Sequence, residues 1–456
     1  MTGYIRNNLV KAATDCAYAV AGACIMPSVL YRAARHGRYR SGWGQRFGGI
    51  TRRSPAKECI WIHAVSVGEV NATRTLVEGI RKLDEDFEVL VTSTTDTGYA
   101  RAKALYGDRL QVCYFPLDFS WVMRRAFRRI KPSLCLLVEL EVWPNFMRTA
   151  AELKVPVAVV NGRLTEKSCR RYERIPPFSR SVFERLSLVA AQDEIYAERF
   201  RRVGARPEIT TVTGSLKYDT AEITDRVEGS AETAAKLGIK ERLFVAGGTG
   251  NGEEQAVLEA FEQVRKDPAL TGVTLAVVPR KPERFDQVAD MITARGMSLI
   301  RYSRIKAGDR TVPPDPEAVI LGDTMGDLRR FYCLADVVFV GRSLVPMGGS
   351  DMIEAAALGK PVIFGPHTYN FTDTADALVA AEGAIRVRDQ DALAEAVKKC
   401  LLDAVFARRT GEKGRQVIRG KQGATARTVQ MLAPLLGEKR IRNPEFRSRN
   451  GGLRPR

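Results

Sequence analysis

Between Cys59 and Thr213 the chain alternates short runs of β-branched and large apolar residues with stretches of about 10–15 residues in which apolar positions return at helical period. The runs are Cys59–His63, Val89–Thr92, Val112–Phe115, Leu134–Glu139, Val155–Val160, Leu188–Ala191 and Thr210–Thr213. Their nearly continuous apolar character predicts parallel strands covered on both faces. A polar, strand-poor stretch follows over Asp219–Arg242. The alternation then restarts with Leu243–Ala246, Thr274–Val278, Val319–Leu321, Val337–Val340 and Pro361–Phe364. The fold class is therefore α/β, with two doubly wound domains over 36–220 and 221–438. Ligands are expected at the carboxyl ends of the strands, in a cleft that the two domains face.

The two ends of the chain depart from this pattern. Cys16 to Tyr31 carries no charge, yet Lys11, Asp15 and Pro27 keep it short of the ~20 apolar residues of a comfortable membrane span. Residues 1–35 are expected to form a membrane-associated helix, with a helix buried on the first domain as the alternative. Seven arginines (32, 35, 38, 40, 46, 52 and 53) and no acid follow up to Arg53, a bias that holds the remaining chain on the cytoplasmic side. A cleaved signal peptide ending near Ala21-Gly22-Ala23 is the rival, and the arginine block argues against it. Residues 439–456, with seven basic residues and one acid, are expected to be a disordered basic tail.

Composition adds partners and compartment. With 45% hydrophobic and 27% charged residues, 456 residues can build two cores without disulfide or metal staples. A net charge of +18 points to a polyanionic partner: nucleic acid, an anionic membrane or a phosphorylated substrate. The eight cysteines contain no C-x-x-C pair and read as reduced thiols. The three histidines are not spaced for zinc, which makes a metal hydrolase a poor reading.

Chemistry is expected where strands end. Ile60-Trp61-Ile62-His63 runs into Ala64-Val65-Ser66-Val67-Gly68-Glu69, where Ser66 and Glu69 have the spacing of a capping box. Glu69 could instead be a general base, and the two roles coexist only partly, because a carboxylate bonded to its own helix is a weaker base. Glu139 and Glu141 follow the strand at Leu134, and Lys217 follows the strand at Thr210. Two acids and a lysine on separate strand ends suit removal of a hydroxyl proton while an anion departs.

In the second domain, Gly247-Gly248-Thr249-Gly250 lacks both the P-loop Lys-Ser/Thr and the G-x-G-x-x-G spacing. Met347-Gly348-Gly349-Ser350-Asp351 precedes a helical stretch, Met352–Leu358. Its backbone N–H groups would meet an anion, and Glu354 would accept from a ribose pair. Arg280 and the turn Gly322–Asp327 occupy two further strand ends, and together these turns read as a nucleotide pocket.

The ordered segments HAVSVGE (63–69), ELEVWPN (139–145), NGRL (161–164), TVTGSLKYD (211–219), VPRKPERF (278–285), GDTMGDL (322–328), ADVVFVG (335–341) and GPHTYNF (365–371) carry a resemblance. With Tyr39–Gly48, they resemble the 3-deoxy-D-manno-octulosonic acid (Kdo) transferases of lipopolysaccharide synthesis over about residues 30–375. The resemblance implies a GT-B fold of two Rossmann-like domains on the cytoplasmic face of the inner membrane. It implies transfer of Kdo from CMP-Kdo to the lipid A precursor, lipid IVA, with no metal and no cofactor beyond the donor. Glu69 matches the family's proton acceptor, and Glu139 and Lys217 match its transition-state stabilisers. Pro279 and Arg280, then Met325, Gly326 and Asp327, and Asp351, Met352, Ile353 and Glu354 match CMP-binding positions, with Gly348 and Gly349 beside the departing phosphate.

This chain departs from the family pattern at several places. Gly250 replaces the histidine of S-T-H, Lys281 that of R-H-P-E-R, and Arg342 the second glycine of G-G-S-L. Ser350-Asp351 replaces His-Asn, which adds negative charge beside the phosphate and should weaken donor binding unless Lys281 or Arg342 compensates, as both are expected to. Leu140 replaces the threonine of E-T-E. Another GT-B enzyme with a different nucleotide sugar is the first alternative. A nucleic-acid-binding protein is the second, although no zinc finger, RNP-like strand or basic recognition helix is present.

Overall fold

The computed structural model describes residues 2–36, 41–239, 242–308 and 318–436. The expected basic tail 439–456, and Arg38, Tyr39 and Arg40, lie outside the described residues. The chain forms two compact units, one of residues 1–220 with 422–456 and the other Ala221–Lys421.

The first unit holds seven strands: β1 (Cys59–His63), β2 (Glu88–Ser93), β3 (Gln111–Tyr114), β4 (Pro132–Val138), β5 (Val157–Gly162), β6 (Leu188–Ala191) and β7 (Thr210–Val212). They form one sheet in the order β3-β2-β1-β4-β5-β6-β7, with every pair parallel. Both faces are covered, which explains the unbroken apolar runs. Ile60, Ile62, Leu134, Leu136 and Val138 face Leu76 and Ile80 of the helix Val67–Leu83. Trp61, Cys135 and Leu137 face Phe127 and Phe146 on the other side. The one polar atom of Trp61 is satisfied, since Nε1 donates to the Thr92 hydroxyl at 2.8 Å.

The second unit repeats the plan with β8 (Leu243–Thr249), β9 (Thr274–Pro279), β10 (Leu299–Arg301), β11 (Val319–Leu321), β12 (Val337–Val340), β13 (Val362–Phe364) and β14 (Ala384–Arg386). Its order is β10-β11-β9-β8-β12-β13-β14, again parallel. β10 and β14, the two edges, were not expected from the sequence. Each has two apolar residues followed by an arginine, which breaks the β-branched or apolar run that marked the equally short β7, β11 and β13.

The second domain does not run to 438. After Lys421 the chain returns, and the helix Ala424–Leu436 places Val429, Leu432, Ala433 and Leu436 in the first unit's core against Leu76 and Ile80. Gly79 gives it room, since a Cβ there would lie 2.9 Å from Val429 Cγ2. The Asp219 carboxylate fixes the return by accepting from the backbone N–H groups of Gly423 and Thr425.

The helix Thr2–His36 contains Pro27. Among the described residues no helix is long and apolar enough to cross a membrane. Polar bonds tie this helix to the first unit. Asp15 accepts from Ser120 N–H at 2.9 Å and from Asn145 Nδ2 at 3.0 Å. Tyr18 donates to Asp118 at 3.0 Å. Asp118 also accepts from Asn145 and Phe146 N–H, and burial pushes its carboxyl up to about 7 against those bonds. The apolar run beyond is exposed, with Val20, Ile25, Met26 and Tyr31 open to solvent.

Leu432 is fully buried. Leu432→Ala should destabilise the first unit by roughly 2–5 kcal/mol, read as lost hydrogen-exchange protection in the helix Val67–Leu83. Protection in β8 and β9 should be unchanged, and their equal loss would show that the helix belongs to the second core.

Candidate active site

In the first unit the parallel ladder brings the ends of β1, β4 and β5 and the turn after β7 to one edge of the sheet. The turn after β1 forms the capping box. Ser66 Oγ accepts from Glu69 N–H at 3.3 Å, and the Glu69 carboxylate accepts from Ser66 N–H at 3.2 Å and Val65 N–H at 2.9 Å. Glu69 therefore serves its own helix while its side chain stays partly exposed.

Glu139 follows β4 in a left-handed conformation, φ +63°, which is strained for a residue with a Cβ. Its N–H donates to Val160 O at 3.0 Å, and the tight turn sets its carboxylate near Glu69 and Lys217. Burial pushes the Glu139 carboxyl up against the pull of Lys217, with Glu69 adding to the rise and Arg163 opposing it. Glu141, two residues on, accepts from Trp143 Nε1 at 3.0 Å. Burial and then Glu69 raise its carboxyl to about 7, the Trp143 bond opposing.

His63 closes the group from beneath. It is buried and stacked on Phe115 with centroids 3.7 Å apart, and burial drives it down to about 3, leaving it neutral. Its Nδ1 lies 3.1 Å from Thr92 O, a carbonyl that can only accept, so Nδ1 carries the proton. Nε2 is then an acceptor, 3.5 Å from the Thr94 hydroxyl and 4.0 Å from Glu141.

Lys217 stands on the short helix Leu216–Asp219. Asn161, at the end of β5 with φ +53°, places it: its Oδ1 accepts from Leu216 N–H at 3.0 Å. Sequence reasoning gave no role to His63 or Asn161. The Asn-Gly pair at a strand end was the available signal for the second, because asparagine tolerates the left-handed region.

In the second unit, two turns are stapled together by a buried acid. Glu253 accepts from the N–H groups of Gly250, Arg342, Ser343 and Leu344. Burial raises its carboxyl while these bonds oppose the rise. Ser350 Oγ donates to Gly248 O at 2.7 Å, tying the first turn to Met347–Asp351. The expected row of free amides there is shorter than anticipated. Gly349 N–H donates to Arg342 O and Ser350 N–H to Gly341 O, and the following helix is only Ile353–Ala357. Asp351 caps that helix through Ile353 N–H at 2.9 Å. The side chains of Met352 and Ile353 are buried, so only their backbone can meet a ligand.

The turn after β11 leaves Met325 exposed at its tip, beside Gly326 at φ +92°. Asp327 is a hub that accepts from Lys306 and Arg330 at 2.7 Å and from Thr324 at 2.6 Å. Burial works against its ionised form, but these partners outweigh it and lower the carboxyl. Arg280 follows buried Pro279, anchored by its N–H on Thr249 O at 3.0 Å, with its side chain exposed. Lys281 pairs with Glu283 at 3.6 Å, and Arg342 donates to Met347 O at 3.2 Å.

Residues 41–220 match the family described as 3-deoxy-D-manno-octulosonic-acid transferase (kdotransferase). The chain is 35% identical over 406 residues to the 3-deoxy-D-manno-octulosonic acid transferase of Haemophilus influenzae, covering 88% of this chain and 92% of the relative. It is 34% identical to the enzyme of the same name from Bordetella pertussis, covering 90% and 95%. A glycosyltransferase from Rickettsia africae shares the fold, with a TM-score of 0.55 at 11% identity over 84% of this chain and 99% of that one. The chain thus has a GT-B-like α/β fold and belongs to the Kdo transferases, glycosyltransferases of lipopolysaccharide synthesis.

Proposed function

We propose that this Kdo transferase uses CMP-Kdo as donor and lipid IVA as acceptor, without a metal, with Glu69 as base. The observation that supports it best is the charged cluster at this sheet edge: Glu139 feels Lys217 and Glu69, and Glu141 feels Glu69 and Glu139. Glu69 accepts the proton of a glucosamine hydroxyl as its oxygen attacks the anomeric carbon of Kdo. The bond to the CMP phosphate breaks, and CMP leaves with the electron pair. Lys217 offsets the charge that develops, and Glu139 holds Lys217 in place. In the second unit Arg280, Met325 and the segment Asp351–Glu354 take the nucleotide, with Gly348 and Gly349 at the phosphate.

The capping box supplies a test that separates the two roles of Glu69. Glutamine also closes such a box, so Glu69→Gln keeps the helix start and removes only the base. Transfer of Kdo to lipid IVA, with CMP-Kdo generated in situ, should fall roughly 100- to 10,000-fold with the melting temperature unchanged. Full activity in that variant would sink the assignment.

The carboxyl of Glu141, raised to about 7, has a thermodynamic signature. The folded chain keeps this proton to higher pH than the unfolded chain, so ionised Glu141 costs stability. That cost is absent below the ordinary carboxylate range, grows from about pH 4 to 7, and is constant above. Glu141→Gln should therefore gain stability relative to the parent across that window, and a pH-independent difference in urea unfolding would contradict it.

We further propose that the first unit rests on an anionic membrane surface, as expected for an inner-membrane protein facing the cytoplasm. Exposed Val20, Ile25, Met26 and Tyr31 support this, as does the ladder Trp43-Phe47-Trp121, with ring centroids 5.9 and 6.0 Å apart. Trp121 precedes exposed Arg124, Arg125 and Arg128 on the helix Ser120–Ile130, the mix of aromatic and basic groups that suits a headgroup layer. The protein should float with phosphatidylglycerol vesicles and less with phosphatidylcholine. Equal absence from both at low salt would refute the placement.

A further inference from the structure

Tyr332, on the helix Leu328–Leu334, is fully buried, and its hydroxyl has no hydrogen-bond partner among the described residues. Such a group costs free energy unless some state of the protein satisfies it. The surroundings are specific. The ring lies against Gly247 of β8, where a Cβ would sit 2.4 Å from Cε1 and 2.5 Å from the hydroxyl oxygen. The first glycine of the Gly247-Gly248 turn is therefore required by this tyrosine and not by a phosphate. The charged groups that act on the hydroxyl are Glu354, Asp351 and Arg280. All three belong to the segments read above as the donor site.

We propose that Tyr332 is a positioning residue for the donor nucleotide, its hydroxyl donating to the Glu354 carboxylate when the ribose hydroxyls draw that carboxylate into place. A tyrosine O–H donates one bond, and an ionised carboxylate has several acceptor positions. One Glu354 oxygen can take the tyrosine bond while the other faces the sugar. The unliganded protein holds this donor in reserve, and binding releases the cost of leaving it unpaired. This inference rests on the reading of the second unit as a CMP site.

The test compares the full chain with Tyr332→Phe, which keeps the ring against Gly247 and removes only the oxygen. CMP is the probe, titrated by calorimetry, with thermal unfolding of the unliganded proteins alongside. Affinity for CMP should fall on the order of tenfold, while the unliganded melting temperature stays level or rises because an unpaired hydroxyl has gone. In turnover the donor KM should rise with kcat unchanged, a split that a purely structural role would not give. Equal CMP affinity in the two proteins overturns the proposal. A lower melting temperature of the unliganded variant also overturns it, because the hydroxyl would then already be bonded, for example to a buried water. Failure of the parent chain to bind CMP would instead overturn the donor reading, and this inference with it.

Discussion

Parallel pairing is the constraint on which the rest of the molecule depends. A parallel ladder cannot be closed by a hairpin, so each strand hands the chain to a crossover and every strand points its carboxyl end the same way. His63, Val138 and Gly162 end three neighbouring strands of the first sheet, and their turns carry Glu69, Glu139 and, through Asn161, the loop of Lys217. Residues nearly 150 positions apart in the chain meet because the ladder has one direction. The second sheet does the same for Arg280, Met325 and the Gly348–Glu354 segment.

Within the first unit, one carboxylate answers two demands. The N–H groups that Glu69 satisfies stabilise the start of its helix, and the same oxygens are the ones that a role as base would call on. Glu139 and Glu141 are both raised chiefly by burial, and the charge of Glu69 raises each of them further. Neutral His63 beneath them adds no positive charge to relieve the crowding.

Much of this was legible in the sequence, for physical reasons that differ from place to place. Strands such as Leu134–Val138 announced themselves because both faces are buried and every position had to be apolar. β10 and β14 did not, since each offers two apolar residues and then an arginine, without the β-branched or apolar run that marked the equally short β7 and β11. Ser66 and Glu69 showed their capping box because helix starts are local. The destination of Ala424–Leu436 was hidden, because an apolar stripe says that a helix packs and not against which core. Glu253 was hidden as well: a buried acid holding four amides is defined by the turn at Arg342–Leu344, about ninety residues away, and nothing near Glu253 in sequence points there.

The return of the last helix to the first unit has a consequence for how the protein is made. A chain leaving the ribosome folds in the order in which its parts appear. The second unit is contiguous, and all its strands are available once Lys421 has emerged. The first unit, begun earlier, lacks Val429, Leu432 and Leu436 until later still, and until then Leu76 and Ile80 have an uncovered side. The unit synthesised first is therefore the one completed last. The apolar face of the helix Val67–Leu83 is where a nascent chain would most need shielding.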